Sequence, residues 1–158
     1  MKEFNVSQEK IFSLPEGSYV DYYKNKINQQ EARKILNIDS EKILLYLGTI
    51  KPYKGILNLI NIFNDIDDKK TQLIIAGKVS IADYLIKIKN LIDKNGSVQL
   101  INKFISPNDL QIYFNAADAV ILPFNKIENS GSAILAMGFK KVIIAPYIGV
   151  LPERLKNQ

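Results

Sequence analysis

The chain contains no cysteine and no histidine. Without cysteine there are no disulfides, no thiolate nucleophile and no zinc-finger chemistry, a usage that fits the cytoplasm. Without histidine the commonest general base and the commonest metal ligand are missing. Acid or base chemistry therefore falls to carboxylates, lysines or a residue on another chain. Long apolar runs are missing too. Although 47% of the 158 residues are hydrophobic, they come in short blocks, and none reaches the roughly 18 to 20 residues of a membrane span. The amino end, MKEFNVSQEK, mixes charges of both signs and has no apolar centre, so it does not read as a signal peptide. A cytoplasmic location is expected.

What the chain does have is positive charge. Its 21 Lys and Arg against 16 Asp and Glu give a net charge of +5, which suggests an anionic partner: nucleic acid, an acidic membrane surface or a small phosphate ligand. Lysines far outnumber arginines, which counts only weakly against bidentate arginine readout of bases, so composition does not choose among the three. Nucleic acid drops out as an expected partner only with the resemblance given below. The length suits a single domain, 1–158, with one hydrophobic core.

Short β-like runs alternate with amphipathic stretches of helical period, the pattern of βαβ units and a parallel sheet. Strands are expected at 43–47, 73–76, 98–101, 119–122 and 142–145, most of them apolar on both faces. Helices are expected at 29–36, 55–64, 81–94, 108–116 and 130–139, with Ile56, Leu59, Ile60 and Phe63 forming one apolar stripe. Ser106 and Pro107 suit a helix cap and first helical residue. Residues 1–28 are polar and irregular and read as a leading linker, in which Tyr19, Tyr22 and Tyr23 serve packing. The fold class is α/β, a doubly wound, Rossmann-like parallel sheet with helices on both faces.

In such a sheet ligands sit beyond the carboxyl ends of the strands, so the loops there carry the functional signal. The first loop is Gly48-Thr49-Ile50-Lys51-Pro52-Tyr53-Lys54-Gly55. Its leading glycine permits close backbone approach, and two lysines beside a helix amino end offer charge to a diphosphate. Taken alone it is a weak signal, since an ordinary loop with solvated lysines would look the same. The second loop follows the fourth strand and contains Asn129-Ser130-Gly131-Ser132 at the start of an apolar helix. Hydroxyls and first-turn N–H groups converging there make an anion site, or else a plain helix cap. Both loops should open on the same edge of the sheet, where one diphosphate could touch both.

The ordered segments GTIKPYKG, LIIAGK, KFIS, DLQIYFNAADAVILPF and NSGSAILAMGFKKVIIAPYIGVLPE resemble the carboxyl-terminal domain of a retaining GT-B glycosyltransferase of family 4. The resemblance covers residues 42–153. It implies one half of a GT-B fold, in which this domain holds a UDP- or GDP-sugar as substrate and a separate amino-terminal domain supplies the acceptor site. No cofactor and no metal is implied. Lys54 matches the family's donor-phosphate lysine, whereas the usual arginine five residues earlier is Thr49, with Lys51 the nearest substitute. Phe104 and Ile105 fall where the family contacts the base. Glu128 lies near the glutamate that approaches the sugar, with one residue fewer in the loop, and its partner position is Leu135 or Ala136. The Asn-Ser-Gly-Ser loop resembles a subgroup in which the amides of Ser130, Gly131 and Ser132 hold phosphate.

The function implied is hexosyl transfer to a polysaccharide or lipid-linked acceptor, by a fragment that needs an amino-terminal domain in cis or in trans and sits in the cytoplasm or peripherally at the membrane. A non-catalytic nucleotide-binding or regulatory module is the alternative. A response regulator is disfavoured because Gly48 and Thr49 stand where its acidic pair would be. Flavodoxin is disfavoured because the first loop lacks a Thr- and Ser-rich cradle. Asp118 reads as a structural turn carboxylate, and Lys140 and Lys141 as an exposed turn.

Overall fold

The computed structural model describes residues 7–12, 17, 19–66, 68–92, 96–126 and 130–155. Five parallel strands, β1 (Lys42–Leu47), β2 (Thr71–Ala76), β3 (Val98–Ile101), β4 (Ala119–Ile121) and β5 (Val142–Ile144), form one sheet in the order β3-β2-β1-β4-β5. The register runs Lys42 opposite Thr71 to Leu47 opposite Ala76, with Leu44 opposite Ala119 on the other side. From β1 the chain moves outward to β3, then crosses back to β4. Beyond the carboxyl ends of β1 and β4, where the direction reverses, a doubly wound sheet opens its ligand crevice.

Helices α1 (Gln29–Leu36), α2 (Ile56–Asn64), α3 (Ala82–Ile92), α4 (Leu110–Ala116), α5 (Gly131–Gly138) and α6 (Leu151–Arg154) complete the fold. Right-handed crossovers put α2 and α3 on one face and α4 and α5 on the other, and α2 packs on α3 while α1 packs on α4. The apolar stripe expected on α2 is real: Ile56, Leu59, Ile60 and Phe63 are all buried. With Ile43, Leu45, Leu73, Ile75 and Leu122 they form the core, and each fully buried aliphatic side chain contributes about 1.5 to 3 kcal/mol.

Polar residues fix the edge away from the crevice. Asn28 caps α1 through a capping box with Glu31, and Asn37 ends the helix in the left-handed conformation. Asp118 accepts from the Ile43 amide, pairs with Arg33 at 2.8 Å and accepts from Gln29, so it is the structural turn carboxylate that the sequence suggests. Gln111 and Asn115, both buried, bind the leading segment: the Lys26 amide donates to Gln111 Oε1, and Asn115 Nδ2 donates to the Ile27 carbonyl. Tyr19, Tyr22 and Tyr23 pack against one another.

Four expectations change. Val142 and Ile144 of β5 are 67% and 47% exposed, because an edge strand is flanked on one side only; burial on both faces holds for the inner strands. The helix expected from 108 starts at Leu110, since the Ser106 hydroxyl donates to the Asp109 carboxylate and the Asp109 amide to the Ser106 carbonyl, closing a turn over Pro107. Lys140 is exposed, but the Lys141 ammonium donates to the Ala117 carbonyl at 3.0 Å, and burial lowers its pKa. No helix is expected after 139, yet Leu151–Arg154 forms a short one with Pro152 in its first turn. The expected helical residues 93–94 lie outside the described residues.

Candidate functional site

The site is built from loops that the strand ends force together. Gly48 and Gly77 follow β1 and β2, both with φ near 150°. A Cβ on Gly77 would stand 1.9 Å from the Gly48 carbonyl oxygen, so only glycine lets the two loops run side by side. The ladder continues past the strands: the Gly48 amide donates to Ala76, and the Ile50 amide to Lys78. The Val79 amide then donates to the Asn102 side chain, joining the loop after β3. Inside the turn the buried Tyr46 hydroxyl donates to the Thr49 carbonyl at 2.9 Å. Burial raises the Tyr46 pKa above the ordinary phenol value.

Beyond Thr49 a 3₁₀ turn, Pro52–Lys54, delivers the chain to Gly55, which adopts φ 73°. A Cβ there would meet the Pro123 carbonyl oxygen at 1.8 Å. The Asn125 amide donates to the Tyr53 carbonyl at 3.3 Å. The first loop is thus stitched to the loop after β4. Between them the Lys54 ammonium stands 4.1 Å from the centroid of the Phe124 ring and 5.3 Å from that of Tyr53. Burial, and then the charge of Lys51, lowers its pKa below the ordinary lysine value.

Helix α5 closes the site. Ser130 is its N-cap, buried, with Oγ accepting from the Ala133 amide. The Ala133 amide also reaches the Ser130 carbonyl, whereas the Gly131 and Ser132 amides have no acceptor within the helix and carry the positive end of its dipole. Ser132 Oγ lies 3.1 Å from where a Cβ on Gly48 would stand. The β1 loop and the α5 amino end therefore meet.

The structure brings Ser132, in the first turn of α5 behind its cap Ser130 and Gly131, against Gly48 beside Thr49, and it sets Lys54 against Phe124 of the loop after β4, with Lys51 exposed on the first loop. Phe104 is 75% exposed after β3, two strands away from β1, while Ile105 is buried in the core. Of these two, only Phe104 presents its side chain outward. Glu128 and Asn129 lie outside the described residues. Three contributors were not picked out from sequence: Tyr46, Gly77 and Phe124. Gly77 had a visible signal, since it follows β2 as Gly48 follows β1. Phe124 had none, because its role depends on where Lys54 comes to rest. Among the described residues no group of three His, Cys, Asp or Glu could hold a metal ion, and no helix is long and apolar enough to cross a membrane.

Residues 28–158 match the family described as glycosyl transferases group 1. Over 104 residues the chain is 25% identical to the GDP-mannose:glycolipid 4-beta-D-mannosyltransferase of Xanthomonas campestris pv. campestris, covering 66% of this chain and 30% of that protein. It is 28% identical over 151 residues to the lipopolysaccharide 1,2-N-acetylglucosaminetransferase of Salmonella typhimurium, covering 89% and 39%. The chain thus spans well under half the length of these relatives. Its fold superposes with a TM-score of 0.73 on the carboxyl-terminal domain of a glycosyl transferase group 1 family protein from Francisella tularensis, covering 87% of this chain and 74% of that one at 19% identity. With the matched residues taking in the sheet, both loops and α5, the chain belongs to the glycosyl transferases group 1 family and is built as one Rossmann-like half of a GT-B fold.

Proposed function

We propose that this chain holds the diphosphate of a UDP- or GDP-sugar, as the donor domain of a retaining hexosyltransferase acting on a polysaccharide or lipid-linked acceptor. The observation that carries this is the meeting of two loops at the switch point of the sheet, Gly48 against Ser132 and Gly55 against Pro123. Lys54 and Lys51 supply cations, Gly48 and Thr49 an approachable backbone, and the 129–132 loop its helix-terminal amides. Phe104 through its exposed ring and Ile105 through its backbone are assigned to the base, and Glu128 to the sugar. No metal or other cofactor takes part in this reading. Family membership supports transfer chemistry, and the resemblance supports retention of configuration.

Glycosyl transfer also needs an acceptor hydroxyl in line with the anomeric carbon and a closed site that excludes water. One open edge of a sheet supplies little of either. An amino-terminal acceptor domain, in cis or in trans, is part of the proposal, and the isolated chain transfers no sugar. The site of action is the cytoplasm or the cytoplasmic membrane surface. A nucleotide-binding module without catalysis is the second reading, favoured by Thr49 where the family's arginine usually stands. Transfer on adding an amino-terminal domain would exclude it.

Calorimetric titration with UDP, GDP and their sugars tests the binding claim. One of the nucleotides should bind, and Lys54→Ala should weaken it about 10- to 100-fold, the equivalent of one charge-assisted bond of roughly 1.5 to 3 kcal/mol. Silence toward every nucleotide at millimolar concentration would remove the site.

A further inference from the structure

The half-buried Lys54 ammonium has been taken partly out of water beside a second cation, Lys51, and both effects disfavour its charge. Something must offset that cost if the group is to meet a phosphate while charged. Among the described residues no carboxylate pairs with it; the two ion pairs there are Arg33 with Asp118 and Lys70 with Glu41. What lies against it is aromatic. Phe124 presents its ring at 4.1 Å and Tyr53 at 5.3 Å, both inside the roughly 6 Å range of a cation–π contact.

Tyr53 is 49% exposed, but the Phe124 ring is not placed by accident of surface packing. Phe124 is 3% exposed. Its neighbours on both sides are tied to the first loop, Pro123 by the close approach of Gly55 and Asn125 by its amide bond to the Tyr53 carbonyl. Those two ties hold the backbones of Phe124 and Lys54 side by side, although they come from different βα loops.

We propose that Phe124, assisted by Tyr53, is a positioning residue that holds the Lys54 ammonium by a cation–π contact, charged and facing the space between the two loops. A phosphate then meets a cation already in place, without the entropy loss of ordering a free lysine side chain. Its consequence for ligand binding rests on the nucleotide reading above; the ring contact itself does not.

Two measurements separate these. In proton NMR the Lys54 Cε protons of the free protein should be shifted upfield of the exposed lysines by the ring current, and Phe124→Leu should abolish the shift. In calorimetry with UDP and GDP, Phe124→Leu should raise Kd about 2- to 30-fold, the range a cation–π contact spans, and Phe124→Tyr should restore it. A trifluorinated phenylalanine at position 124 keeps the shape but weakens the negative ring face, so it should raise Kd in the same direction if Phe124→Leu folds poorly. In a Lys54→Ala background neither change should matter further. Unshifted Lys54 protons would overturn the proposal, as would equal losses with and without Lys54 or an unchanged Kd with the fluorinated ring. If the wild-type protein binds no nucleotide, the proposed function fails, while the ring shift still decides the contact.

Discussion

At the scale of single residues, Lys54 should make the proposed site sensitive to alkali. Its free-state pKa is held below 10.5 by burial and by Lys51, and an anion binds best when the ammonium is charged. Affinity should therefore be full below that pKa and fall as pH rises through it, earlier in the alkaline range than for an ordinary lysine. Lys54→Arg should flatten the profile measured by titration at successive pH values, because a guanidinium stays charged throughout. A profile identical for the two proteins would show that Lys54 does not carry the charge. Lysine and serine positions of this kind were legible in the sequence, because their chemistry is carried by residue type and by place after a strand. Phe124 and Tyr46 were not. Tyr46 sits in a strand that reads as core and Phe124 at the start of a loop read for its polar residues, and only the folded positions of Thr49 and Lys54 give them a role.

At the scale of elements, the two edges of the sheet have separate duties. Asp118 and Arg33 join α1, β1 and the start of β4 at the edge opposite the loops. Asp118→Ala should cost about 1 to 3 kcal/mol in urea unfolding by leaving the Ile43 amide without its carboxylate, with nucleotide affinity unchanged. An affinity loss as large as the stability loss would mean that the edges are coupled. Strands and helices from α1 to β5 were readable to within two residues, because strands buried on both faces and one-faced helices have different apolar periods. The borders moved where side chains compete with the backbone, as Ser106 and Asp109 do before α4. Exposure of β5 was not readable, since three apolar residues look alike in a central and an edge strand.

At the scale of the whole molecule, the two loops of the proposed donor site are held against each other and should act as one. The glycines decide this: a side chain at 55 or 77 would strike the backbone of a neighbouring loop, so the loops are held by the sheet and not by the ligand. Little rearrangement should be needed on binding, and the loops should respond together. The most direct measurement is an amide NMR titration of the full chain with UDP and GDP. Resonances of 48–55 and of 130–133 should shift along one binding curve with one Kd, while those around Asp118 stay still. Shifts confined to one loop, or two curves with different midpoints, would contradict a single diphosphate site.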